Sequence, residues 1–325
     1  MVRAAARDAA RSALLVLGHE FVLEDHDAVA GSAARGKREH RGANELVQRS
    51  PVLRGIAASA LMKSGRRDEA LVAARDAILA ARATPDEPAA PGAAPARELA
   101  IERTMVTLRE MYGDQGAQDL EALVLSVGDP TPIESAMIAD AWARMGSAGS
   151  AKGLEWCAKV DAMGDKASPG VKAGIDLTRG TLLYAKGDAV AACDAFERAA
   201  KLSGRNASAL NNAAYLLSTV KKDHQQALEY ASRAVQLAPS QPDYLDTLGY
   251  VFTQLGRMDD AADALEKSVA IQPTATALIH LGQARAGQGK FAEARRAAQQ
   301  AKDLGAIPPD AQKELDALNA SLEGK

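Results

Sequence analysis

The feature that most limits what this chain can become is a pattern written three times between Leu210 and Gly305. The second half of each copy opens on an alanine, at Ala227, Ala261 and Ala294, so the copies are stepped by 34 and 33 residues. A period in that range belongs to stacked helix pairs and takes precedence over any single motif in assigning a fold. In the middle copy Leu245, Leu248, Phe252 and Leu255 fall at i, i+3, i+7 and i+10, one face of a helix. Gly256 permits a left-handed helix end, and Met258 to Ala270 begins a second helix on the far side. Gly249 and Ala261 are both small, so the two axes can approach closely where they cross. Pro273 cannot continue the second helix. One such hairpin cannot bury both its faces; stacking three or more supplies the missing contacts.

This order of small and large residues resembles the tetratricopeptide repeat. Leu245, Leu248, Gly249, Phe252, Ala261, Leu265 and Pro273 match that family position by position, with Leu245 where Trp is usual and Ser268 where Ala is usual. The preceding copy has Ala213 and Ala214 in the Leu-Gly place and one extra residue near Val220 to Asp223. The following copy carries Leu278, Leu281, Gly282, Gly289, Phe291, Ala294, Ala298 and Ala301. The match is specific from Asp176 to Gly305, about 40% of the chain, and only suggestive upstream. It implies a right-handed α-solenoid of antiparallel helix pairs, a tetratricopeptide-type superhelix.

In that family the first helices of successive repeats line a concave groove that takes a peptide or a helix. Carried over by position to the matching repeats, the groove presents Asn211, Asn212, Tyr215, Asp246, Tyr250, Ile279, His280 and Gln283. Tyr215 and Tyr250, two of six tyrosines, share a slot in adjacent repeats. An aromatic with a polar tip suits a binding surface; the same two rings also serve simply by stacking between neighbouring first helices. One subtype of the family grips a terminal carboxylate with lysines, and Asn211 and Asp246 stand where a basic residue would help, which disfavours it.

The rest of the chain divides by composition. Residues 1–83 read as an N-terminal helical region, with one degenerate pair over Pro51 to Ala81 turning at Ser64 to Ala70. Residues 84–97 hold Pro85, Pro88, Pro91 and Pro95 among alanines, a semi-rigid linker and the best candidate boundary, or else a long loop between repeats that stay stacked. Residues 98–168 carry degenerate repeats: hairpins over Ala96–Tyr112 with Gln115–Val127, and Pro132–Met145 with Ala148–Val160, where Trp142 and Trp156 are expected as packed core residues. Residues 169–305 form the array and 306–325 its capping helix, with Leu315, Leu318 and Leu322 inward and Lys313, Glu314 and Glu323 outward.

Apolar residues make up 47% of the sequence, dominated by alanine, and aromatics only 4%, so the core rests on close backbone approach. No segment alternates apolar and polar residues with β-branched enrichment, and the class is all-α. A net charge of −3 is too mild to imply nucleic acid or an anionic membrane as the main partner. No run is long enough to cross a bilayer. Residues 2–17 read as an amphipathic helix with Arg3, Arg7 and Arg11 on one side; no export signal is visible, and the expectation is a cytoplasmic chain, or the tail of a longer protein.

No chemistry-bearing pattern stands out in the sequence. Cys157 and Cys193 have neither metal-ligand spacing nor a disulfide framework and read as small buried residues. His19 and His26 lie amid carboxylates but seven apart, unlike the i, i+4 pair of a zinc helix, so no metal is expected. The basic stretch Arg35, Lys37, Arg38, His40 and Arg41 has no interleaved aromatics and reads as a solvated loop. Phosphate-cradling glycine loops and a Gly-x-Ser-x-Gly elbow are missing, and His224 and His280 sit beside no nucleophile. The expectation is therefore a non-enzymatic, cofactor-free adaptor that binds a segment of another protein. The alternatives are a self-assembling homo-oligomeric subunit, or the C-terminal region of a larger enzyme or envelope-associated protein.

Overall fold

A computed structural model describes residues 50–85, 95–305 and 307–324. The expectations for the helix at 2–17, for His19 and His26, for the basic stretch at 35–41 and for most of the proline-rich segment lie outside those residues. Every regular element among the described residues is helical. They are α1 (Pro51–Lys63), α2 (Arg67–Arg82), α3 (Ala96–Tyr112), α4 (Ala117–Leu125), α5 (Pro132–Arg144), α6 (Ser150–Ala162), α7 (Pro169–Ala185), α8 (Ala189–Leu202), α9 (Ala207–Leu216), α10 (His224–Leu237), α11 (Pro242–Gln254), α12 (Met258–Ile271), α13 (Ala275–Gly287), α14 (Phe291–Asp303) and α15 (Pro309–Leu322). The chain divides into two compact units, one through Thr178 and one from Arg179, with the division inside α7.

Local chemistry sets the helix ends. Asp188, Asn206, Asp223 and Thr274 each accept a hydrogen bond from the backbone N–H three residues on, at 3.0–3.1 Å, and so start α8, α9, α10 and α13. Gly256 ends α11 with φ +74°: its N–H donates to the Thr253 carbonyl while Arg257 N–H reaches back to Phe252, at 3.0 and 2.9 Å. That pair of bonds closes the helix only if the glycine adopts the left-handed region, as glycine readily does. Two expected boundaries shift for local reasons. The helix expected from Gln115 starts at Ala117, behind Gly116; the one expected from Ala148 starts at Ser150, after a 3₁₀ turn over Gly146–Gly149.

In the first unit α1 pairs with α2 and also lies against α3, and α5 packs on α3, α4 and α6. Helices α2 and α3, on either side of the proline-rich segment, are in contact, and Arg97 Nε donates to the Thr84 carbonyl at 2.9 Å. A polar knot fixes α2 to the start of α5. Arg82 donates through Nε and Nη2 to the two carboxylate oxygens of fully buried Glu134 at 2.9 and 2.8 Å, and through Nη1 to the Val127 carbonyl at 3.1 Å. Glu134 is also half of a capping box, accepting from Thr131 N–H at 2.7 Å. Trp156 is buried as expected, whereas Trp142 is only half-buried because its indole N–H reaches out to Glu121 at 2.7 Å.

The second unit is the repeat array. Each first helix pairs with its own second helix (α9 with α10, α11 with α12, α13 with α14), and each second helix lies against the next first helix. First helices also touch one another in the series α9, α11, α13 and α15. The alanines that set the period, Ala227, Ala261 and Ala294, are all fully buried. Gly249 does admit a close approach, but the residue that fills the space is Leu265: a Cβ at Gly249 would stand 2.4 Å from Leu265 Cγ. Gly180 faces Phe196 in the same way, at 2.5 Å. Sixteen residues beyond Gly282 the second helix carries only Ala298, and the missing volume comes from Leu318 of α15, 2.6 Å from a Cβ built at Gly282. Ser268, where the family pattern has Ala, is buried and donates its hydroxyl to the Pro242 carbonyl at 2.8 Å, so the departure is satisfied locally.

Candidate partner-binding groove

The expected residues lie on the first helices α9, α11 and α13, at unequal depths. Asn211 is buried, and its side-chain oxygen meets no hydrogen-bond partner among the described residues; Asn212 is half-buried. Tyr215 is half-buried with its ring 6.1 Å from that of Tyr250 and inclined at 50°, so the shared slot is a real contact. Tyr250 lies deeper, 4.9 Å from the His280 imidazole. Two expectations need correction. Ile279 is fully buried in the apolar cluster with Leu278, Leu315 and Leu318 and presents nothing to a guest. His280 is 2% exposed and acts within the fold.

His280 joins three first helices. Its Nδ1 lies 2.7 Å from Asp246 Oδ1 on α11, and its Nε2 lies 3.1 Å from Glu314 Oε2 on α15. Burial by itself would push the imidazole pKa down; the two carboxylates outweigh it and hold the value up to about 10, so the ring is an imidazolium at neutral pH. Burial likewise works to raise Glu314, but the hydrogen bond and charge of His280 bring it below its ordinary value. Glu314 accepts as well from Gln283 at 3.4 Å. The capping helix thus presents Glu314 inward, against the expectation that it points to solvent.

Above this floor lies a hollow of about 540 Å³. Tyr184, Tyr215 and Tyr250, from three successive first helices, line it together with Asp310 and Glu314 of α15. The turn after α9 completes the rim. There the one extra residue of the sequence pattern appears as a single π-helical turn, Leu217–Lys221, followed by Lys222 in the left-handed region at φ 59°. A π-turn absorbs an inserted residue without breaking the helix and recurs at functional sites. Tyr184, Lys222, Asp310 and Glu314 were not in the expected set. Spacing held a signal for one of them: Asp246, His280 and Glu314 are separated by 34 and 34 residues, the repeat period itself.

The first unit has its own hollow, of about 630 Å³, lined mainly by apolar groups such as Ile133, Met137 and Val171 with Glu98 and Glu102 at its edge. Both cysteines are buried thiols, and burial pushes Cys193 up to about 11, far from a reactive thiolate. Among the described residues no group of three or more His, Cys, Asp or Glu is placed to hold a metal ion, and no helix is long and apolar enough to cross a membrane.

Stacked helix hairpins with a wall of first helices and a buried seam of small residues define a helical-repeat protein of the α-solenoid class. Residues 242–274 match the tetratricopeptide-repeat family, the helix pair α11 and α12. That pair is a tetratricopeptide repeat by its sequence match, and the helix pairs around it share the α-solenoid fold. Among solved structures, the APC/C hetero-tetramer Cut9–Hcn1 is 14% identical, over 88% of this chain and 54% of that one, with a TM-score of 0.55, and shares the fold. YrrB, described as a TPR protein with an unusual peptide-binding site, is 19% identical over 62% of this chain and 99% of its own, at 0.48. A MamA from Desulfovibrio magneticus RS-1 is 20% identical over 54% and 96%, at 0.45. No curated protein matches the chain in sequence.

Proposed function

We propose that this chain is a non-enzymatic adaptor that holds a peptide or helical segment of another protein against the first helices of its second unit. The observation that carries this reading is the contact of partly exposed Tyr215 with the more deeply buried Tyr250 beside an open hollow, on a framework already fixed by His280. Rigid aromatic anchors on a pre-formed wall lose little entropy on binding. The test is a selection of displayed random dodecapeptides on the immobilised full chain, followed by affinity measurement with Tyr215→Ala. Loss of about tenfold or more in affinity, with unchanged circular dichroism, supports the groove. Equal affinity for the variant overturns it.

A further inference from the structure

The lining of the hollow combines two chemistries, and that combination points to what the guest carries. Resting on the groove reading above, we propose that the guest segment inserts a lysine or arginine side chain between the three phenol rings of Tyr184, Tyr215 and Tyr250 and the carboxylates of Asp310 and Glu314.

Three observations converge. Three phenol rings and two carboxylates line the same 540 Å³ space, a combination in which a cation can gain from ring quadrupoles and from full charges together. The carboxylates have capacity to spare. Asp310 is 84% exposed, and its ion-pair partner among the described residues is Lys313, an exposed i, i+3 pair at 3.4 Å. Such pairs are weak and readily exchanged. Glu314 uses Oε2 toward His280 and Gln283 and remains partly exposed. The local field agrees with this geometry. Burial, first, raises the Tyr215 hydroxyl well above the ordinary tyrosine range, and Glu314 and Asp310 push it the same way, so these two carboxylates are close enough to the ring to act on a charge placed beside it.

Lys222, the residue that follows the π-turn, also lines the hollow. Rim charges of opposite sign set the direction in which a guest lies, with its cation toward α15 and any acidic residue toward Lys222. An acidic or carboxylate-terminated segment laid across the same wall would meet two carboxylates first.

The dodecapeptide selection on the full chain tests this directly. The expected result is a lysine or arginine enriched at one fixed position, affinity that weakens as NaCl is raised from about 50 to about 300 mM, and loss of about tenfold on Asp310→Lys. Asp310→Asn, which removes the carboxylate charge without placing a cation in the first turn of α15, should lose less and guards against a folding defect in the lysine variant. Selected peptides that lack basic residues or are acidic overturn the proposal, as does unchanged affinity for Asp310→Lys. If Tyr215→Ala still abolishes binding in that case, the groove stands and only the cation falls. Recovery of no peptide, or indifference to both substitutions, removes both readings.

Discussion

His280 and Asp246 face each other at 2.7 Å across two repeats, and the same imidazole turns its other nitrogen to Glu314 at 3.1 Å. One side chain therefore ties the last full repeat to the repeat before it and to the capping helix after it. The folded pKa of His280, about 10, lies above its ordinary 6.5. Its contribution to stability is accordingly complete below pH 6.5 and is lost as pH rises through 10. Urea unfolding followed between pH 6 and 10 should show a decline in the native chain that is absent from His280→Gln, and the variant should lose about 3 kcal/mol at pH 6. Equal slopes in the two proteins would contradict the charge on the ring. Glu314, held below its ordinary value, works in the opposite sense and loses its contribution as pH falls below 4.5.

The slot between Gly249 and Leu265 leaves no room for a side chain. Gly249→Leu should cost about 1–3 kcal/mol by overpacking the crossing of α11 and α12. Adding Leu265→Ala to that variant should restore part of the loss, since volume returns to the same slot from the other helix. Thermal unfolding of the two variants checks both statements; an unaltered midpoint for Gly249→Leu refutes the first.

Leu318 serves the last repeat as Leu265 serves its own. Its truncation to alanine empties the slot above Gly282 and should cost about 3 kcal/mol, with amide exchange accelerated first in α13 and α14. Protection lost first in α11 would argue that the capping helix is not what closes the array.

Arg82 and Glu134 make the corresponding prediction in the first unit. The two-pronged guanidinium contact has no equivalent in an ammonium group, so Arg82→Lys should cost about 2 kcal/mol in spite of conserving charge. Chemical denaturation of that variant, beside Arg75→Lys as an exposed control, provides the comparison.

Much of this architecture could be read before any coordinates because its determinants repeat. Ala227, Ala261 and Ala294 mark where axes must approach, and all three are fully buried. The helix expected over Ala96–Tyr112 is found with those limits, set by Pro95 before it and Gly113 after it. The extra residue near Val220 was visible as an irregularity of spacing, although its form as a π-turn depended on how α9 meets α10. Depth within the wall was not legible. Ile279 and His280 are adjacent on a first helix, and sequence places both near the groove; only the packing of α15 over them decides that neither is presented. Pairwise chemistry between repeats was equally hidden, because Asp246 and Glu314 look like ordinary surface carboxylates until the stacking brings each to His280.

The small–large complementarity has a last consequence for how such an array can grow. Two of the pairs carry their own filler, Phe196 for Gly180 and Leu265 for Gly249, but the pair of α13 and α14 borrows Leu318 from α15. A duplicated unit of 34 residues spliced in ahead of Ala275 would keep every junction it inherits. The same unit inserted after Gly305 would part Gly282 from Leu318 and His280 from Glu314, so both contacts would depend on what the new first helix brings to those two positions.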